Sequence, residues 1–332
     1  MEISHLPEIL ALEPKYRAKQ IQQALFIDLV ASWQAATILP QKLRTTLQAN
    51  CPIDIKAEIV VAKDKKTIKA LLTLADEKLV ETVLMKHQAG RNTVCISCMV
   101  GCPMRCAFCA TGEMGLVRNL SADEMIEQIL FFARYLKPQG ARINSVVFMG
   151  MGEPFLNYDN VIQAIRLIQS PNGLNVGARH ISVSTCGILN GIKKLAQEKL
   201  PINLAISLHA PTDEVRQQLM PIAKTYPIKK LLTEVDYYIT QTNRKVMFEY
   251  LMIKGVNDSV KHAQALAALM KNRLCVVNLI QYNPTNKFIP SPYKQMNYFK
   301  SILEKEGVNT TMRYKFGQDI KGACGQLATK KN

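Results

Sequence analysis

No apolar run in this sequence approaches the roughly 20 residues that a membrane-spanning helix needs. The first residues, MEISHLPEILALEPKYRAK, carry acidic side chains early and lack the basic, apolar and small-residue segments of a secretory signal. The sequence also contains no internal repeat and no low-complexity tract. Together these absences predict a soluble, cytoplasmic protein that does not enter a membrane.

Acidic residues are few beside basic ones. The chain has 26 Asp and Glu against 42 Lys and Arg, which gives a formal net charge of +16 over 332 residues. The basic side chains recur along the chain, for example in KDKKTIK (63–69), IKK (228–230) and KKN (330–332). Such a charge favours a polyanionic partner, and RNA or DNA is the usual one. The alternative is a basic enzyme whose lysines are only solvated.

A disulfide framework is also unexpected, because the nine cysteines are an odd number and the cytosol is reducing. Five of the nine lie in CISCMVGCPMRCAFC, which runs from Cys95 to Cys109. Clustered cysteines in a reducing compartment more often bind a metal or carry out redox chemistry. The sequence therefore predicts a metal or redox centre in this segment.

The first part of the chain contains two kinds of pattern. Apolar spacing in QIQQALFIDLVASW and LPQKLRTTLQA predicts helices within residues 1–50. IDIKAEIVVAKDK and TIKALLTLADEKLVETVLM then predict strands of a small antiparallel sheet. We expect an N-terminal α+β accessory domain over residues 1–90, which is a candidate for helping to bind RNA through its helices and the 63–69 hairpin.

Residues 91–332 alternate short apolar runs with amphipathic stretches, which is the pattern of an α/β core. The six predicted strands are TVCIS (93–97), INSVVFM (143–149), HISVST (180–185), INLAIS (202–207), VMFEYLM (246–252) and LCVVNLI (274–280). The predicted helices are SADEMIEQILFFARYL (121–136), YDNVIQAIRLIQ (158–169), GIKKLAQEKL (191–200), IKKLLTEVDYYITQT (228–242) and VKHAQALAALMK (260–271). We expect parallel strands in a complete or partial (β/α)6 barrel of TIM type, with its chemistry at the carboxyl ends of the strands.

Cys102, Cys106 and Cys109 form C-x3-C-x2-C directly after a predicted strand. A short turn can bring three such thiolates to one inorganic centre. A cubane iron–sulfur cluster normally takes four cysteines, so three would leave one iron open. The alternative is zinc, held by Cys95, Cys98, Cys106 and Cys109 in a non-enzymatic RNA-binding protein, although seven residues between the two pairs are few for an ordinary zinc ribbon.

With Phe108 before its last cysteine, this motif resembles that of the radical S-adenosylmethionine superfamily. The resemblance implies a [4Fe-4S] cluster on Cys102, Cys106 and Cys109. In the superfamily, the open iron chelates the amino and carboxylate groups of S-adenosylmethionine, and the electron of the cluster gives a 5′-deoxyadenosyl radical.

The same resemblance implies residues that bind S-adenosylmethionine. In GMGEP (150–154), Gly152 would allow close approach of the backbone, and Glu153 would accept hydrogen bonds from the ammonium group of the cofactor. Further cofactor-binding residues, all at the ends of predicted strands, would be Ser184, Ser207, Leu208 and His209.

The resemblance becomes closer when the whole chain is considered. In one order the sequence contains VETV (80–83), the cysteine segment followed by ATG, GMGEPFLN (150–157), ARHISVSTCGI (178–188), INLAISLHAP (202–211), LMPI (219–222), GVNDS (255–259), VNLIQYNP (277–284) and GQDIKGACGQL (317–327). Together these motifs are similar to those of the RlmN/Cfr family of RNA adenosine methyltransferases. RlmN-type members methylate C2 of an adenosine in 23S rRNA and of adenosine 37 in some tRNAs. Cfr-type members methylate C8 of the same rRNA adenosine and confer antibiotic resistance, and Pro154 favours the RlmN type.

The family implies a reaction that uses two S-adenosylmethionine molecules per turnover. Cys324 would take a methyl group from the first, and the radical formed from the second would abstract hydrogen from that S-methyl group before the carbon adds to adenine. Glu81 in VETV would accept the C2 proton. Cys95 would then close a disulfide with Cys324 and release the product, and Asn283 would be a further cofactor contact.

The resemblance also implies 23S rRNA and tRNA as substrates, and we expect an electron-donor protein of flavodoxin type and a monomer. A radical reaction suits the target, because adenine C2 is electron-poor and offers no nucleophile to an ordinary methyl donor. Four cysteines have no catalytic role in this scheme. Cys51, Cys186 and Cys275 are predicted to be structural, and Cys98 is a spare thiol.

Overall fold

One ten-stranded sheet and one two-stranded sheet organise the computed structural model, which describes residues 5–285, 287–313 and 316–329. In chain order the strands are β1 (Lys56–Val61), β2 (Thr67–Thr73), β3 (Leu79–Lys86), β4 (Asn92–Ile96), β5 (Met99–Gly101), β6 (Leu116–Asn119), β7 (Ser145–Phe148), β8 (Ile181–Thr185), β9 (Asn203–Ser207), β10 (Val246–Met252), β11 (Cys275–Gln281) and β12 (Thr310–Met312). The large sheet has the order β1-β2-β3-β4-β7-β8-β9-β10-β11-β12, and β5 pairs with β6.

Helices connect and flank these strands. The α-helices are α1 (Leu6–Leu10), α2 (Tyr16–Gln22), α3 (Gln41–Asn50), α4 (Ala110–Met114), α5 (Ala122–Leu136), α6 (Tyr158–Gln169), α7 (Leu189–Gln197), α8 (Asp213–Leu219), α9 (Ile228–Thr242), α10 (Val260–Met270) and α11 (Tyr293–Lys305). A π-helical turn spans Gln23–Ile27, and 3₁₀ turns span Trp33–Ala35, Lys137–Gln139, Pro154–Leu156, Ala178–His180 and Pro221–Lys224. In the described part of the chain, no helix is long and apolar enough to cross a membrane.

The N-terminal helices pack around Trp33. Its side chain is fully buried, and its indole N–H donates a hydrogen bond of 2.6 Å to the carbonyl of Cys51, just beyond α3. Leu43 and Leu47 of α3 are buried one turn apart, as a helix with one apolar face requires. The helices expected within residues 1–50 are thus confirmed, except that residues 28–32 leave the helical path.

The antiparallel strands are part of the same sheet as the core. β1 pairs with β2 and β2 with β3, and β3 then pairs antiparallel with β4, with Val83 opposite Cys95. The expectation of a separate small sheet is therefore wrong, because backbone hydrogen bonds between β3 and β4 continue the ladder into the core. The division of the chain near residue 90 falls in the turn between these two strands and stays a prediction.

The parallel part of the sheet is a partial barrel. β4, β7, β8, β9, β10, β11 and β12 pair parallel with their neighbours in this order, and α5, α6, α7, α9, α10 and α11 lie in the successive crossovers. The predicted α/β class with a partial TIM-like barrel is confirmed, and all six predicted strands and five predicted helices are present. β12 is a seventh parallel strand that the sequence analysis did not identify, because three residues carry too little periodicity.

Local sequence explains where the first crossover helix begins. Ser121 accepts a hydrogen bond from the Glu124 backbone N–H at 3.2 Å, and the Glu124 carboxylate accepts one from the Ser121 backbone N–H at 2.9 Å. This reciprocal capping satisfies two backbone donors that a helix start leaves free. Ile126, Ile129 and Leu130 then recur on one face and are fully buried.

The inner wall of the barrel is more polar than usual. Barrels of this type are normally filled by layers of branched apolar side chains. Here Thr93, Ser145, Ser182, Asn203 and Asn278 line the central space below the active end. Small polar side chains leave that space unfilled, so the barrel encloses a cleft that runs toward the carboxyl ends of its strands.

The two short strands β5 and β6 enclose the loop that carries Cys102 and α4. β5 and β6 pair antiparallel with an irregular register at Val100 and Gly101. Gly101 has a φ of +78°, and a Cβ at this position would lie 1.9 Å from the carbonyl oxygen of Gly115. The same carbonyl accepts a hydrogen bond from the Cys102 backbone N–H at 2.8 Å. Glycine is therefore required at this position by both its conformation and its contacts.

We expect Gly101→Ala to lower the free energy of unfolding by about 3 kcal/mol or more, because the strain of a positive φ adds to a clash with backbone. Gly90→Ala is the matched control, since Gly90 has a φ of +76° and a Cβ added there would meet nothing within 4 Å. That variant should lose only about 1 kcal/mol. Urea unfolding followed by circular dichroism measures both, and equal losses would contradict the clash.

Candidate active site

A cavity of about 880 Å³ opens at the carboxyl ends of the barrel strands. We call it the cysteine cavity. Most of the residues predicted to bind the cofactor or the cluster line it: Cys102, Cys106, Cys109, Gly152, Glu153, Ser184, Ser207 and His209. Cys324, the predicted methyl carrier, lines it as well. Side chains separated by more than two hundred residues in sequence are thus brought to one place.

The three clustered cysteines lie in a loop fixed by backbone hydrogen bonds. The Cys109 N–H donates to the Cys106 carbonyl at 3.1 Å, and the Ala107 N–H donates to the Leu219 carbonyl at 2.9 Å. Burial raises the pKa of Cys102 to about 12 and raises that of Cys106 and Cys109, and the neighbouring sulfurs add to each shift. Neutral thiols are therefore favoured unless a cationic centre displaces their protons.

The arrangement of donors distinguishes the two inorganic centres that the sequence left open. Among the described residues, no three His, Cys, Asp or Glu side chains can hold one metal ion together. Zinc would need its sulfurs within about 4 Å of one another, since each Zn–S bond is about 2.3 Å. Cys95 lines a different cavity and Cys98 is buried outside both, so the four cysteines of the zinc alternative do not line one cavity together. Three cysteines around one cavity fit a cubane cluster, in which each thiolate binds a different iron.

Gly152 and Glu153 follow β7 on the wall of the cysteine cavity. Gly152 has a φ of +104°, and a Cβ there would approach Met99 at 2.7 Å and Cys98 Sγ at 2.9 Å. Glu153 is 3% exposed and already accepts hydrogen bonds from the backbone N–H groups of Phe155 (3.0 Å) and Cys186 (2.8 Å). Burial raises the pKa of Glu153, and these two N–H donors oppose the rise.

The ends of β8 and β9 place three further predicted residues. Ser184 and Ser207 lie on adjacent strands with their Oγ atoms 3.4 Å apart. His209 accepts a hydrogen bond at Nδ1 from the Leu251 N–H (3.1 Å), and its ring packs edge-on against Phe108. Burial, followed by the charge of Arg216, lowers the pKa of His209 to about 3. The imidazole is therefore neutral, and its remaining proton lies on Nε2.

Leu208 does not line the cysteine cavity with its neighbours. Its side chain is fully buried, its N–H donates to the Glu249 carbonyl (3.2 Å), and its carbonyl accepts from Arg216 (3.3 Å). A contact of Leu208 with a cofactor would therefore require backbone groups that are already paired. The predicted role of Leu208 stays a prediction.

A second cavity of about 590 Å³ adjoins the first. We call it the Cys95 cavity, because Cys95, Asn283 and Cys324 are the predicted residues on its wall. Burial raises the pKa of Cys95 to about 12, with Cys324 adding to the rise and Arg313 opposing it. Asn283 donates to the Cys324 carbonyl at 3.1 Å and accepts from Gln318 at 2.6 Å, so its amide holds the C-terminal segment.

Glu81 lies on β3 and lines neither cavity. Its side chain is 3% exposed, with Lys69 Nζ at 2.7 Å from one carboxylate oxygen and the Ala328 N–H at 2.7 Å from the other. The C-terminal segment thus covers the predicted proton acceptor. The predicted role of Glu81 therefore requires that the substrate displace the Ala328 N–H from the carboxylate.

The sequence analysis did not identify three residues that the structure places at or next to the cysteine cavity. Glu249 and Arg313 line the cysteine cavity, and Arg216 lies fully buried behind it. Arg216 donates to the carbonyls of Cys186 (2.7 Å), Leu208 (3.3 Å), Tyr226 (3.3 Å) and Ser207 (3.4 Å) and so ties the ends of β8 and β9 together. A charged residue inside the apolar run VMFEYLM was a usable signal for Glu249, but the other two have no local signal.

Comparisons with known proteins agree in their result. A model of the radical SAM superfamily matches residues 96–266. The probable dual-specificity RNA methyltransferase RlmN of Symbiobacterium thermophilum is 46% identical over 96% of this chain and 86% of its own length. The corresponding protein of Dictyoglomus thermophilum is 46% identical over 95% and 91%. The crystal structure of a radical SAM methyltransferase from Sphaerobacter thermophilus superposes with a TM-score of 0.95 at 42% identity, covering 99% of this chain and 98% of that one.

We expect Arg216→Met to lower the free energy of unfolding by about 3 kcal/mol, because it leaves buried carbonyls without donors. Arg166→Met is the matched control. Arg166 pairs with Glu198 at 2.9 Å on the surface, and its side chain is 65% exposed, so this variant should lose less than about 1 kcal/mol. Chemical denaturation of both variants measures the difference, and similar losses would show that Arg216 does not hold the strand ends.

Proposed function

The chain belongs to the radical SAM superfamily and, within it, to the RlmN family of RNA methyltransferases, and on this basis we propose that it methylates C2 of an adenosine in 23S rRNA and of adenosine 37 in some tRNAs. The observation that carries the proposal is the position of Cys324. This one residue lines the cysteine cavity together with Cys102, Cys106 and Cys109, and it lines the Cys95 cavity together with Cys95. A thiol that carries a methyl group between two chemical steps needs such a position.

The residues of the cysteine cavity fit the cofactors of the superfamily. Cys102, Cys106 and Cys109 would hold a [4Fe-4S] cluster, and Gly152, Glu153, Ser184, Ser207 and His209 would contact S-adenosylmethionine. When bound, these groups would supply the abstraction of a hydrogen atom from an S-methyl group, in a cleavage of S-adenosylmethionine that consumes two electrons in all, one from the cluster and one with the hydrogen atom. The two cofactor molecules per turnover are part of the proposal.

The charges around the cavity suit a cationic ligand. Glu153 is a buried acidic group beside the cluster cysteines, and His209 is neutral because of its burial. A protonated His209 would repel the sulfonium of S-adenosylmethionine, whereas the neutral ring can still donate from Nε2. Glu153 can accept a hydrogen bond from the ammonium group with lone pairs that Phe155 and Cys186 leave free.

Cys324 has two proposed tasks. Its thiolate first accepts a methyl group by displacement, so that a sulfur–carbon bond forms as the sulfonium–methyl bond breaks. Its S-methyl group then loses a hydrogen atom, and the remaining carbon adds to C2 of the adenine. Cys324 is only partly buried, unlike Cys95, which agrees with a thiol that meets a large substrate.

Glu81 and Cys95 complete the reaction in this proposal. Glu81 accepts the C2 proton of the adduct, and the unpaired electron of the adduct would return to the cluster, so that the adenine ring is restored before the disulfide forms. The Cys95 sulfur attacks the Cys324 sulfur, an S–S bond forms as the bond from Cys324 to the methylene carbon breaks, and that carbon takes a proton to become the methyl group. The disulfide releases two electrons, which equals the number that the cofactor cleavage consumes, and a reductant then restores both thiols.

The RNA-binding role of residues 1–90 is likewise a proposal. The turn between β1 and β2 lies beside the C-terminal segment, since the Lys63 N–H donates to the Asp319 carboxylate at 2.9 Å. Lys63, Lys65 and Lys66 therefore lie at the side of the barrel where the site opens, and they suit contacts with phosphates, whereas Lys69 is paired with Glu81. A target base would have to leave its stack to reach the cavities. We also propose a flavodoxin-like electron donor and a monomer.

We expect enzyme reconstituted with iron and sulfide to produce 2-methyladenosine in 23S rRNA and in tRNA when supplied with S-adenosylmethionine and a reductant. Mass spectrometry of the digested nucleosides measures the product. RNA in which the target adenosine is replaced by guanosine is the control and should gain no methyl group. Formation of 8-methyladenosine would contradict the proposed regiochemistry and assign the Cfr-type activity instead.

Variants that lack one of the two thiols should stop the methylation reaction at different steps. We expect Cys324→Ala to carry no methyl group on the protein and to leave RNA unmethylated, whereas Cys95→Ala should still become methylated and should accumulate a covalent adduct with RNA. Intact-protein mass spectrometry and denaturing gels measure these outcomes. Cys275→Ala is the control, because Cys275 is buried at the start of β11 and lines neither cavity. RNA methylation by the Cys324→Ala variant would refute a thiol carrier.

A further inference from the structure

The Cys95 cavity contains a single charged residue among the described residues that line it. Its wall is otherwise apolar or neutral, and includes Val83, Met85, Ile280 and Leu327, and Arg313 is the exception. Arg313 also lines the cysteine cavity and the central cleft of the barrel. A guanidinium therefore lies where the two cavities that share Cys324 meet.

The position of Arg313 is fixed by the end of the sheet. Its backbone N–H donates to the Leu279 carbonyl at 2.9 Å, directly after β12, which pairs parallel with β11. On β11, Asn278 donates to Glu249 Oε1 at 2.9 Å, and Glu249 lies beside Asn278 in the register of β10 and β11. The adjacent strands thus place a carboxylate below the guanidinium.

The contacts of the guanidinium are weak. Its two Nη atoms contact the thioether sulfur of Met149 at 3.6 and 3.7 Å, and thioethers are poor acceptors. Glu249 Oε2 lies 3.7 Å from Nη1, which is beyond hydrogen-bond distance. This oxygen has no hydrogen-bond partner in the described part of the chain, although Glu249 is 4% exposed. Glu249 is therefore the counter-ion of Arg313 without a hydrogen bond between them, and the guanidinium has no strong hydrogen-bond acceptor among these contacts.

The two thiols in the Cys95 cavity both need a cation in the proposed function, on which this inference rests. Cys324 accepts a methyl group as a thiolate, and Cys95 later attacks as a thiolate. An apolar cavity disfavours both anions. The charged form of Cys324 also contributes most to raising the pKa of Arg313, with Glu249 and Cys95 adding to the rise and burial opposing it.

We propose that Arg313 is a positioning residue that stabilises the thiolate of Cys324 during methyl acceptance and that of Cys95 during product release, and that Glu249 on β10 is its counter-ion. One cation can serve both thiols, because the two steps are separated in time.

Other ionisable groups also lie near the two thiols. Lys69 on β2 and Glu81 on β3 lie in the strands that precede β4, which carries Cys95, and they form an ion pair with each other at 2.7 Å. Cys109 faces Cys324 from the cluster loop, and a bound cluster would fix its charge in every variant. Changes in thiol reactivity on substitution of Arg313 therefore report on Arg313.

The test measures the reactivity of the two thiols rather than methylation. Anaerobic protein with its cluster bound is treated with iodoacetamide between pH 6 and 10, and peptide mass spectrometry follows Cys95 and Cys324 separately. We expect Arg313→Met to slow alkylation of both about tenfold at pH 7.5 and to move their pH profiles upward by about one unit. Arg313→Lys should stay within about threefold of the unchanged protein, because it keeps the charge.

Two further variants serve as controls that separate loss of the Arg313 charge from a general effect of substitution on folding. Glu249→Gln removes the counter-ion of Arg313, so alkylation at pH 7.5 should be equal or faster, and a slower reaction would overturn the proposal. Arg179→Met removes an arginine at the far end of the central cleft and should change nothing. Unchanged profiles in Arg313→Met, or equal slowing in Arg313→Lys and Arg313→Met, would also overturn it. If alkylation responds as expected but no RNA is methylated, the proposed function fails and the assignment of Arg313 stands.

Discussion

The candidate site depends on the hydrogen bonds that hold the C-terminal segment against the cysteine loop. The Ala110 N–H donates to the Gly325 carbonyl at 2.8 Å, and the Thr111 hydroxyl donates to the Leu327 carbonyl at 2.6 Å. These bonds join residues more than two hundred positions apart and hold the chain just after Cys324. Together with the hydrogen bond from Asn283 to the Cys324 carbonyl, they keep Cys324 where it lines both cavities.

Buried polar groups give the rest of the site its shape. Arg216 and Glu153 bind backbone groups at the ends of neighbouring strands, and Asn257 does the same by donating to the carbonyls of His209 (2.8 Å) and Leu251 (2.5 Å). Each would be costly to bury alone, so each constrains the backbone that satisfies it. The resulting rigidity suits a site that must hold two reacting molecules close together, since small errors in position are costly to reaction rates.

Much of this fold could be predicted from the sequence because its signals are local. Each of three examples is confined to a short stretch of sequence. They are the capping pair Ser121 and Glu124, the apolar face of α5, and the spacing of Cys102, Cys106 and Cys109. Arg313 and Arg216 could not be assigned in this way, because their partners come from distant segments of the chain, and Glu249 offered only the signal of a charge inside an apolar run. The joining of β3 to β4 has the same cause, since strand pairing is a contact between segments and leaves no periodic pattern within either one.

The cover over Glu81 links the C-terminal segment to substrate entry. One carboxylate oxygen of Glu81 accepts from the Ala328 N–H and the other pairs with Lys69. If Glu81 accepts the C2 proton, the adenine must reach an oxygen that Ala328 now occupies, so that part of the segment must give way when RNA enters. Cys324 lies only four residues earlier in the same segment. Its anchor to Asn283 and the Gly325 bond to Ala110 both precede Ala328 in the chain, so the cover can open while the thiol keeps its place between the two cavities.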